Sequence, residues 1–217
     1  MADREEDRLP PGHQPGWLKA LVSGFFRLAY GGAEVTGLEH IPPQGPLIVA
    51  PTHRSYLDPV ILSAFLPRAL YYMAKSELFE QPILRPAIRF FGAFPVDRHT
   101  ARGSTFRTAL RLLRMGGTVM IFPEGGIVEG MGEELKGGVG SLASMSAAPV
   151  LPVYVAGSNT LFSWPEALSD SPWLILRVAP PISPPAQRGR NAREEVTRRV
   201  MDALAGLERA PGTGASS

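Results

Sequence analysis

The sequence predicts a single α/β domain with a mostly parallel central sheet flanked by helices. Short apolar runs alternate with helical periods along the middle of the chain, as expected when buried parallel strands are connected through helices. The length of 217 residues suits one domain with a substantial core. The 44% hydrophobic fraction and the lack of cysteine exclude a disordered chain, a disulfide scaffold and a thiolate metal site.

The N-terminal part predicts a tail followed by an amphipathic helix. Residues 1–16 are acidic, then rich in proline and glycine, so we expect a disordered tail and no signal peptide. Residues 17–33 predict a helix with a wide apolar face and cations beside it, which suits a helix lying in a membrane interface. The alternative is a helix docked on its own domain. Its apolar face carries Trp17, Leu21, Phe25 and Leu28, and Lys19, Ser23 and Arg27 lie opposite.

The remaining elements follow from their periodicity. Apolar runs predict strands at 47–50, 70–74, 118–122, 150–156 and 173–179, the fourth interrupted by Pro152. Helical periods fit 59–66, 104–115, 137–147 and 192–208. We expect Asn191 to cap the last helix, Glu194–Arg198 and Glu195–Arg199 to form i,i+4 pairs, and residues 210–217 to be disordered. No apolar run reaches about 18 residues, so a conventional membrane span is not expected.

The charge is unevenly distributed along the chain. The net charge is only +2, and of the 22 basic residues just three are lysines, so most of the positive charge is guanidinium. Residues 81–120 hold seven arginines against one acid, Asp97, a local balance of +6. Guanidinium groups favour bidentate contacts to phosphate and carboxylate. This stretch therefore predicts a surface for phosphate, anionic lipid or nucleic acid.

The segment from Ala50 to Pro59 is the strongest candidate for chemistry. It joins a predicted strand to a predicted helix, where functional groups of α/β sheets gather. Asp58 followed by Pro59 predicts a helix start, with Asp58 as N-cap. If the loop folds back, the Asp58 carboxylate can bond His53, fix its tautomer and stabilise the imidazolium. Without a serine or cysteine nucleophile, such a pair implies a general base acting directly on a substrate hydroxyl. Alternatively, the Asp-Pro start is structural and the histidine inert.

Three further segments stand in order along the chain: GAFPVDR at 92–98, FPEG at 122–125 and VLPVYVAG at 150–157. Glu124 follows a predicted buried strand and precedes a glycine. A carboxylate at such a strand end is better placed to contact a ligand than to pack in the core. We expect Phe122 and Pro123 to shape the turn. The four histidines show no ligand spacing, so no metal is predicted.

Together with HRSYLD at 53–58, these blocks closely resemble the 1-acylglycerol-3-phosphate acyltransferase family of His-x4-Asp glycerolipid acyltransferases, from about Glu34 to Arg177. The resemblance implies an acyltransferase domain at 34–209 that moves an acyl group from a thioester to the hydroxyl of lysophosphatidic acid, giving phosphatidic acid. The thioester of coenzyme A or acyl carrier protein is a co-substrate, and no other cofactor is implied. The implied roles are His53 as base, Asp58 as its orienting carboxylate, Arg98 and Lys75 as phosphate contacts, and Glu124 and Gly125 as contacts to the glycerol part.

One departure concerns the acceptor. The family usually continues its third block with Thr-Arg, whereas this chain has Gly126-Ile127. Arg54, Arg102 and Lys136 are then candidate additional anion contacts, or the acceptor is another lysophospholipid. The resemblance also favours peripheral attachment at the cytoplasmic face of a membrane. A non-catalytic lipid-binding membrane module is the alternative from another class, and a nucleic-acid binder is disfavoured because no recognition motif accompanies the arginines.

Overall fold

The computed structural model describes residues 15–82, 84–96, 102–123, 138–159, 174–186 and 189–211. The strands are β1 (Ala33–Thr36), β2 (Leu47–Pro51), β3 (Leu70–Lys75), β4 (Ala93–Val96), β5 (Thr118–Met120), β6 (Val150–Ala156) and β7 (Leu174–Val178). The helices are α1 (Gly16–Ala29), α2 (Asp58–Phe65), α3 (Ser76–Glu80), α4 (Leu84–Phe90), α5 (Arg102–Arg114), α6 (Gly138–Ser146) and α7 (Arg190–Arg209), with a 3₁₀ turn at Leu38–His40.

The strands form one seven-stranded sheet in the order β1-β7-β6-β2-β5-β3-β4. All neighbouring pairs are parallel except β6 with β7, which is antiparallel. The α/β architecture with a mostly parallel sheet is therefore confirmed. The central strand β2 is buried along its whole length, as expected for a strand covered on both faces.

Alternate residues of β2 enter two separate hydrophobic cores. Leu47 and Val49 pack with residues of α1 and α2, whereas Ile48 and Ala50 pack with residues of α5, α6 and α7. This follows from the two-residue period of a strand, which points successive side chains to opposite faces. The helices thus cover both faces of the sheet, and the loop after β2 emerges between the two cores.

The predicted strands, and the predicted helices after α1, are present with ends shifted by at most two residues. Helix α1 ends at Ala29 and not at residue 33, because Gly31 and Gly32 take positive φ and Ala33 begins β1. The periodicity of the sequence does not predict β1, β4, α3 or α4. Each has only four to seven residues, too few to establish a period.

Pro152 does not interrupt β6, which is continuous. The Pro152 carbonyl accepts from the amide of Ala179, which lies just beyond the end of β7. The N–H and C=O of one strand residue point to the same side, so the N–H that proline lacks would face a position where β7 has already ended.

Two expected helix caps are wrong. Asp58 is the first residue of α2, with Leu57 in the cap position, and its carboxylate accepts from amides of the preceding loop instead of capping the helix. Asn191 lies inside α7, whose cap position is Gly189 at φ +149°, a conformation that favours glycine.

The charge pairs of α7 differ in part from the prediction. The Glu195–Arg199 pair is present at 4.0 Å. Glu194 pairs with Arg190 at 2.8 Å instead, and Arg198 pairs with Asp202 at 3.0 Å, each at i,i+4 spacing.

Helix α1 docks on the domain by a mixed face and leaves its apolar face uncovered. The Lys19 amine donates to the carbonyls of Leu66 and Arg68, both at 2.8 Å, and burial lowers the pKa of Lys19 to about 8. Phe26 and Tyr30 enter the core. The apolar face is exposed at Trp17 (69%), Leu21 (63%), Phe25 (60%) and Leu28 (83%). None of the helices among the described residues has the length and apolar character needed to cross a bilayer.

Candidate active site

The loop at residues 52–57 lies at the carboxyl end of β2. From β2 the chain continues to β3 and β4 on one side of the sheet, and later returns to β6 on the other side. Ligands of open α/β sheets bind beside such a reversal of strand order. Thr52 fixes the start of the loop, since its hydroxyl donates to the Val155 carbonyl at 3.0 Å and accepts from the Val155 amide at 2.8 Å. The loop therefore leaves β2 from a position tied to β6.

The loop folds back so that Asp58 meets His53. The Asp58 Oδ2 atom lies 2.9 Å from His53 Nδ1, and it also accepts from the backbone amides of Arg54 and Ser55, both at 2.7 Å. The Asp58 side chain is fully buried, and the His53 side chain is 10% exposed. Three donors around one oxygen favour the ionised carboxylate, and that carboxylate in turn holds the proton on Nδ1 of His53. The lone pair is then on Nε2, where the imidazole can take a proton.

Phe122 forms the wall against which the His53 ring packs. The two rings are stacked, with centroids 3.8 Å apart and planes at 18°. Phe122 follows β5, and β5 is the neighbour of β2, so the two residues leave adjacent strands at the same edge of the sheet. From the sequence, Phe122 is expected only to shape the turn. The FPEG block does contain it, but its contact with His53 depends on the order of the strands.

Of the other predicted site residues, the structure describes the side chain of Arg54 and the backbone positions of Lys75 and Arg102. Arg54 forms an ion pair with Glu208 of α7 at 3.2 Å, and both side chains are about half exposed. Lys75 is the last residue of β3, two strands from β2 at the same edge of the sheet, and Arg102 is the first residue of α5. Arg98, Glu124, Gly125 and Lys136 lie outside the described residues.

The arginines of α5 lie on its exposed side. Arg107, Arg111 and Arg114 are exposed, while Leu110 and Leu113 are buried in the core. Among the residues that the structure describes, no group of three or more histidine or acidic side chains is suitably placed to hold a metal ion.

The fold is that of a solved acyltransferase. The crystal structure of the 1-acyl-sn-glycerophosphate (LPA) acyltransferase, PlsC, from Thermotoga maritima superposes with a TM-score of 0.64, covering 98% of this chain and 86% of that one. The two sequences are 22% identical, so this likeness concerns the fold alone.

Two curated relatives are more similar in sequence. A 1-acyl-sn-glycerol-3-phosphate acyltransferase of Bacillus subtilis is 34% identical over 131 residues, which is 60% of this chain and 65% of the relative. One of Streptococcus pneumoniae is 32% identical over 149 residues, which is 67% of this chain and 55% of the relative. The chain thus matches less than two thirds of the length of either protein. The sequence model of the family described as Acyltransferase matches residues 32–156, more than half of the chain and the whole of the His53 loop. The chain therefore belongs to the acyltransferase family.

Proposed function

We propose that this protein transfers a fatty acyl group from a thioester to the free hydroxyl of lysophosphatidic acid, giving phosphatidic acid for phospholipid synthesis. The observation that carries the proposal is the buried contact of His53 Nδ1 with Asp58 Oδ2 at the carboxyl end of the central strand. Family membership and the names of the relatives from Bacillus subtilis and Streptococcus pneumoniae support the same reaction.

In the proposed reaction His53 acts as the general base. Nε2 takes the proton of the acceptor hydroxyl as its oxygen attacks the thioester carbonyl. The new C–O bond forms, the C–S bond breaks, and the thiolate leaves and takes the proton from the imidazolium. Asp58 stays ionised and stabilises the transient positive charge on the ring, while Phe122 holds the ring plane. No covalent acyl-enzyme is needed, since the acceptor oxygen is itself the nucleophile.

The acceptor phosphate is proposed to bind Arg98, with Lys75 nearby, and Glu124 and Gly125 are proposed to contact its glycerol part. The position of Lys75 at the end of β3 supports this, because the carboxyl ends of β2 and β3 lie at one edge of the sheet. The Gly126-Ile127 sequence in place of Thr-Arg favours a second candidate, the same chemistry on another lysophospholipid. The acyl donor is a thioester of coenzyme A or acyl carrier protein.

Attachment to the cytoplasmic face of a membrane through α1 is part of the proposal. The apolar face of α1 is exposed, and an aromatic face of this kind is typical of helices that lie in a bilayer interface. A lipid acceptor must leave the bilayer to reach His53, and the phosphatidic acid must return to it. Exposed arginines on α5 would add attraction to anionic headgroups.

The test is thioester release and lipid-product formation by the purified protein with lysophosphatidic acid, compared with His53→Ala. Removing the base should lower kcat by at least about a hundredfold, because general base catalysis contributes factors of that size. The matched control is His40→Gln, since His40 contacts the Val178 carbonyl away from the site and its loss should leave kcat unchanged. Retention of more than a few per cent of activity by His53→Ala would refute the mechanism.

A panel of lysophospholipids in the same assay distinguishes the candidate acceptors. A preference for lysophosphatidic acid supports the leading proposal, and a preference for another member supports the second candidate. Tight binding to vesicles without thioester cleavage for any acceptor would instead identify a non-catalytic lipid-binding module.

A further inference from the structure

The Asp58 carboxylate is satisfied on one side only. Its Oδ2 atom has three donors, whereas Oδ1 is buried and has no hydrogen-bond partner among the described residues. The side chain has no exposed surface. A charged oxygen excluded from water without a donor is costly, and such an atom in a folded protein calls for a partner. The proposed mechanism makes no use of this side of the carboxylate.

A second unsatisfied polar atom lies at the same edge of the sheet. Ser158 Oγ is buried and also has no partner in the described part of the chain. Ser158 follows β6 by two residues, and β6 is the parallel neighbour of β2, from which the His53 loop leaves. The contacts of Thr52 with Val155 hold these two strand ends together.

Tyr30, the residue that ends α1, connects the two atoms. Its side chain is fully buried, and its hydroxyl donates to the Ser158 carbonyl at 2.8 Å. Burial and then the negative charge of Asp58 raise the pKa of Tyr30 to about 12, which places the phenol within electrostatic reach of the carboxylate. Tyr30 thus contacts Ser158 directly and interacts electrostatically with Asp58, and all three side chains are buried.

We propose that Asp58 Oδ1, Tyr30 Oη and Ser158 Oγ together bind one buried water molecule, and that Tyr30 and Ser158 act through it as positioning residues for the His53–Asp58 pair. The hydrogen count closes. The Tyr30 proton goes to the Ser158 carbonyl, Ser158 Oγ donates to the water, and the water donates to Asp58 Oδ1 and to the lone pair of Tyr30 Oη. Three polar partners are what a buried water molecule typically has.

The water directs the positive end of an O–H dipole towards the carboxylate and so offsets part of its charge. Without it, Asp58 stabilises the imidazolium more strongly, and His53 holds its proton to higher pH. Arg54 is the charged residue next to His53 in the loop, and its guanidinium forms an ion pair with Glu208 of α7. The role in tuning the base rests on the proposed function, whereas the water-linked cluster of Asp58, Tyr30 and Ser158 does not.

The test is an NMR titration of the His53 ring in the full chain, assigned by comparison with His53→Ala. Tyr30→Phe and Ser158→Ala should each move the His53 titration to higher pH, because each removes a dipole that offsets the charge of Asp58. The acidic limb of the pH profile of kcat/KM should move in the same direction. Tyr72→Phe is the matched control, since Tyr72 is also buried, but burial alone raises its pKa and Asp58 does not contribute.

Titrations of Tyr30→Phe and Ser158→Ala that coincide with the unmodified chain overturn the proposal, as does an equal shift in Tyr72→Phe. If Tyr30→Phe fails to fold, Ser158→Ala alone decides, because it removes only the hydroxyl. The titration does not depend on acyl transfer. If the titration shifts but the protein cleaves no thioester, the proposed function is refuted and the cluster is supported. If the protein is active but the titration does not shift, the cluster is refuted and the proposed function is supported.

Discussion

At the scale of single residues, Asp58 is the most constrained side chain of the site. Its Oδ2 atom serves the imidazole and two loop amides, so the residue that orients the base also fixes the loop that carries it. Replacing it therefore changes the loop as well as the charge. Phe122 gives a cleaner test of ring position, because its ring stacks on the ring of His53 and carries no charge.

We predict that Phe122→Leu lowers kcat about five- to tenfold, since an aromatic pair contributes around 1 kcal/mol beyond its buried area and the looser ring spends less time in the productive orientation. KM should change little. The control is Phe106→Leu, a partly buried phenylalanine packed against the other core. Steady-state acyl-transfer kinetics give the result, and an equal loss in both variants would mean that general destabilisation is the cause.

The sequence indicates a His53–Asp58 contact because the x4 spacing lets a short loop bring the two side chains together. The expected cap role of Asp58 was wrong, since its oxygen bonds the loop amides before the helix. The stacking of Phe122 could not be predicted without knowing that β5 lies beside β2. Contacts within one loop are read from spacing, whereas contacts across strands require the sheet order.

At the scale of elements, α1 has one side that packs against the domain and an apolar side that is exposed to solvent. The side with Lys19 and Phe26 meets the domain, and the side with Trp17 and Leu28 is exposed. The period of the sequence predicts the helix and its apolar face. It does not predict which face packs against the domain. Lys19 donates to two main-chain carbonyls there, and every residue has such a carbonyl, so the pattern of side chains cannot indicate this contact.

We predict that replacing both Trp17 and Phe25 with serine weakens binding to vesicles containing anionic lipid by at least tenfold. Burying each ring in the bilayer is worth on the order of 1.5–3 kcal/mol, and the double variant loses both. Vesicle sedimentation measures the effect. Met201→Ser, which changes an exposed apolar residue of α7, should bind as the unmodified protein does. Unchanged binding of the double variant would show that α1 does not enter the interface.

At the scale of the whole molecule, Arg177 ties the edge of the sheet to the last helix. On β7, its guanidinium pairs with Glu34 of β1 at 2.8 Å, and both side chains are at most 10% exposed. It also donates to the carbonyls of Leu207 and Ala210 at the end of α7. The neighbouring Glu208 pairs with Arg54 of the site loop, so the end of α7 connects the edge strands with the loop that carries His53.

We predict that Arg177→Met lowers the free energy of unfolding by about 3 kcal/mol, because it removes a buried ion pair with Glu34 and the hydrogen bonds to the carbonyls at the end of α7. Arg198→Met, which breaks an exposed pair on α7, should cost less than about 1 kcal/mol. Urea unfolding followed by circular dichroism measures both. Similar losses of unfolding free energy in the two variants would contradict a stabilising role of the buried Arg177 contacts.

The parallel sheet as a whole was predictable, because buried strands separated by helical periods have few other solutions. The antiparallel pairing of β7 with β6 was not predictable, since the sequence of β7 is as apolar as those of the parallel strands. The four-residue strands β1 and β4 were missed for want of length. The alternation of apolar runs with helical periods thus identifies the architecture, while the direction and number of strands depend on contacts distant in sequence.

The docking contact of Lys19 also has a consequence for reactivity. Burial lowers the pKa of Lys19 to about 8 only while α1 is docked, and in that state its nitrogen donates to two carbonyls. An amine-directed reagent reaches the nitrogen only when α1 leaves the domain. The chain has only two other lysines, Lys75 and Lys136. Acylation of Lys19 by an amine-directed reagent, read as a mass increase on one peptide, therefore reports how often α1 leaves the domain, with and without a bilayer.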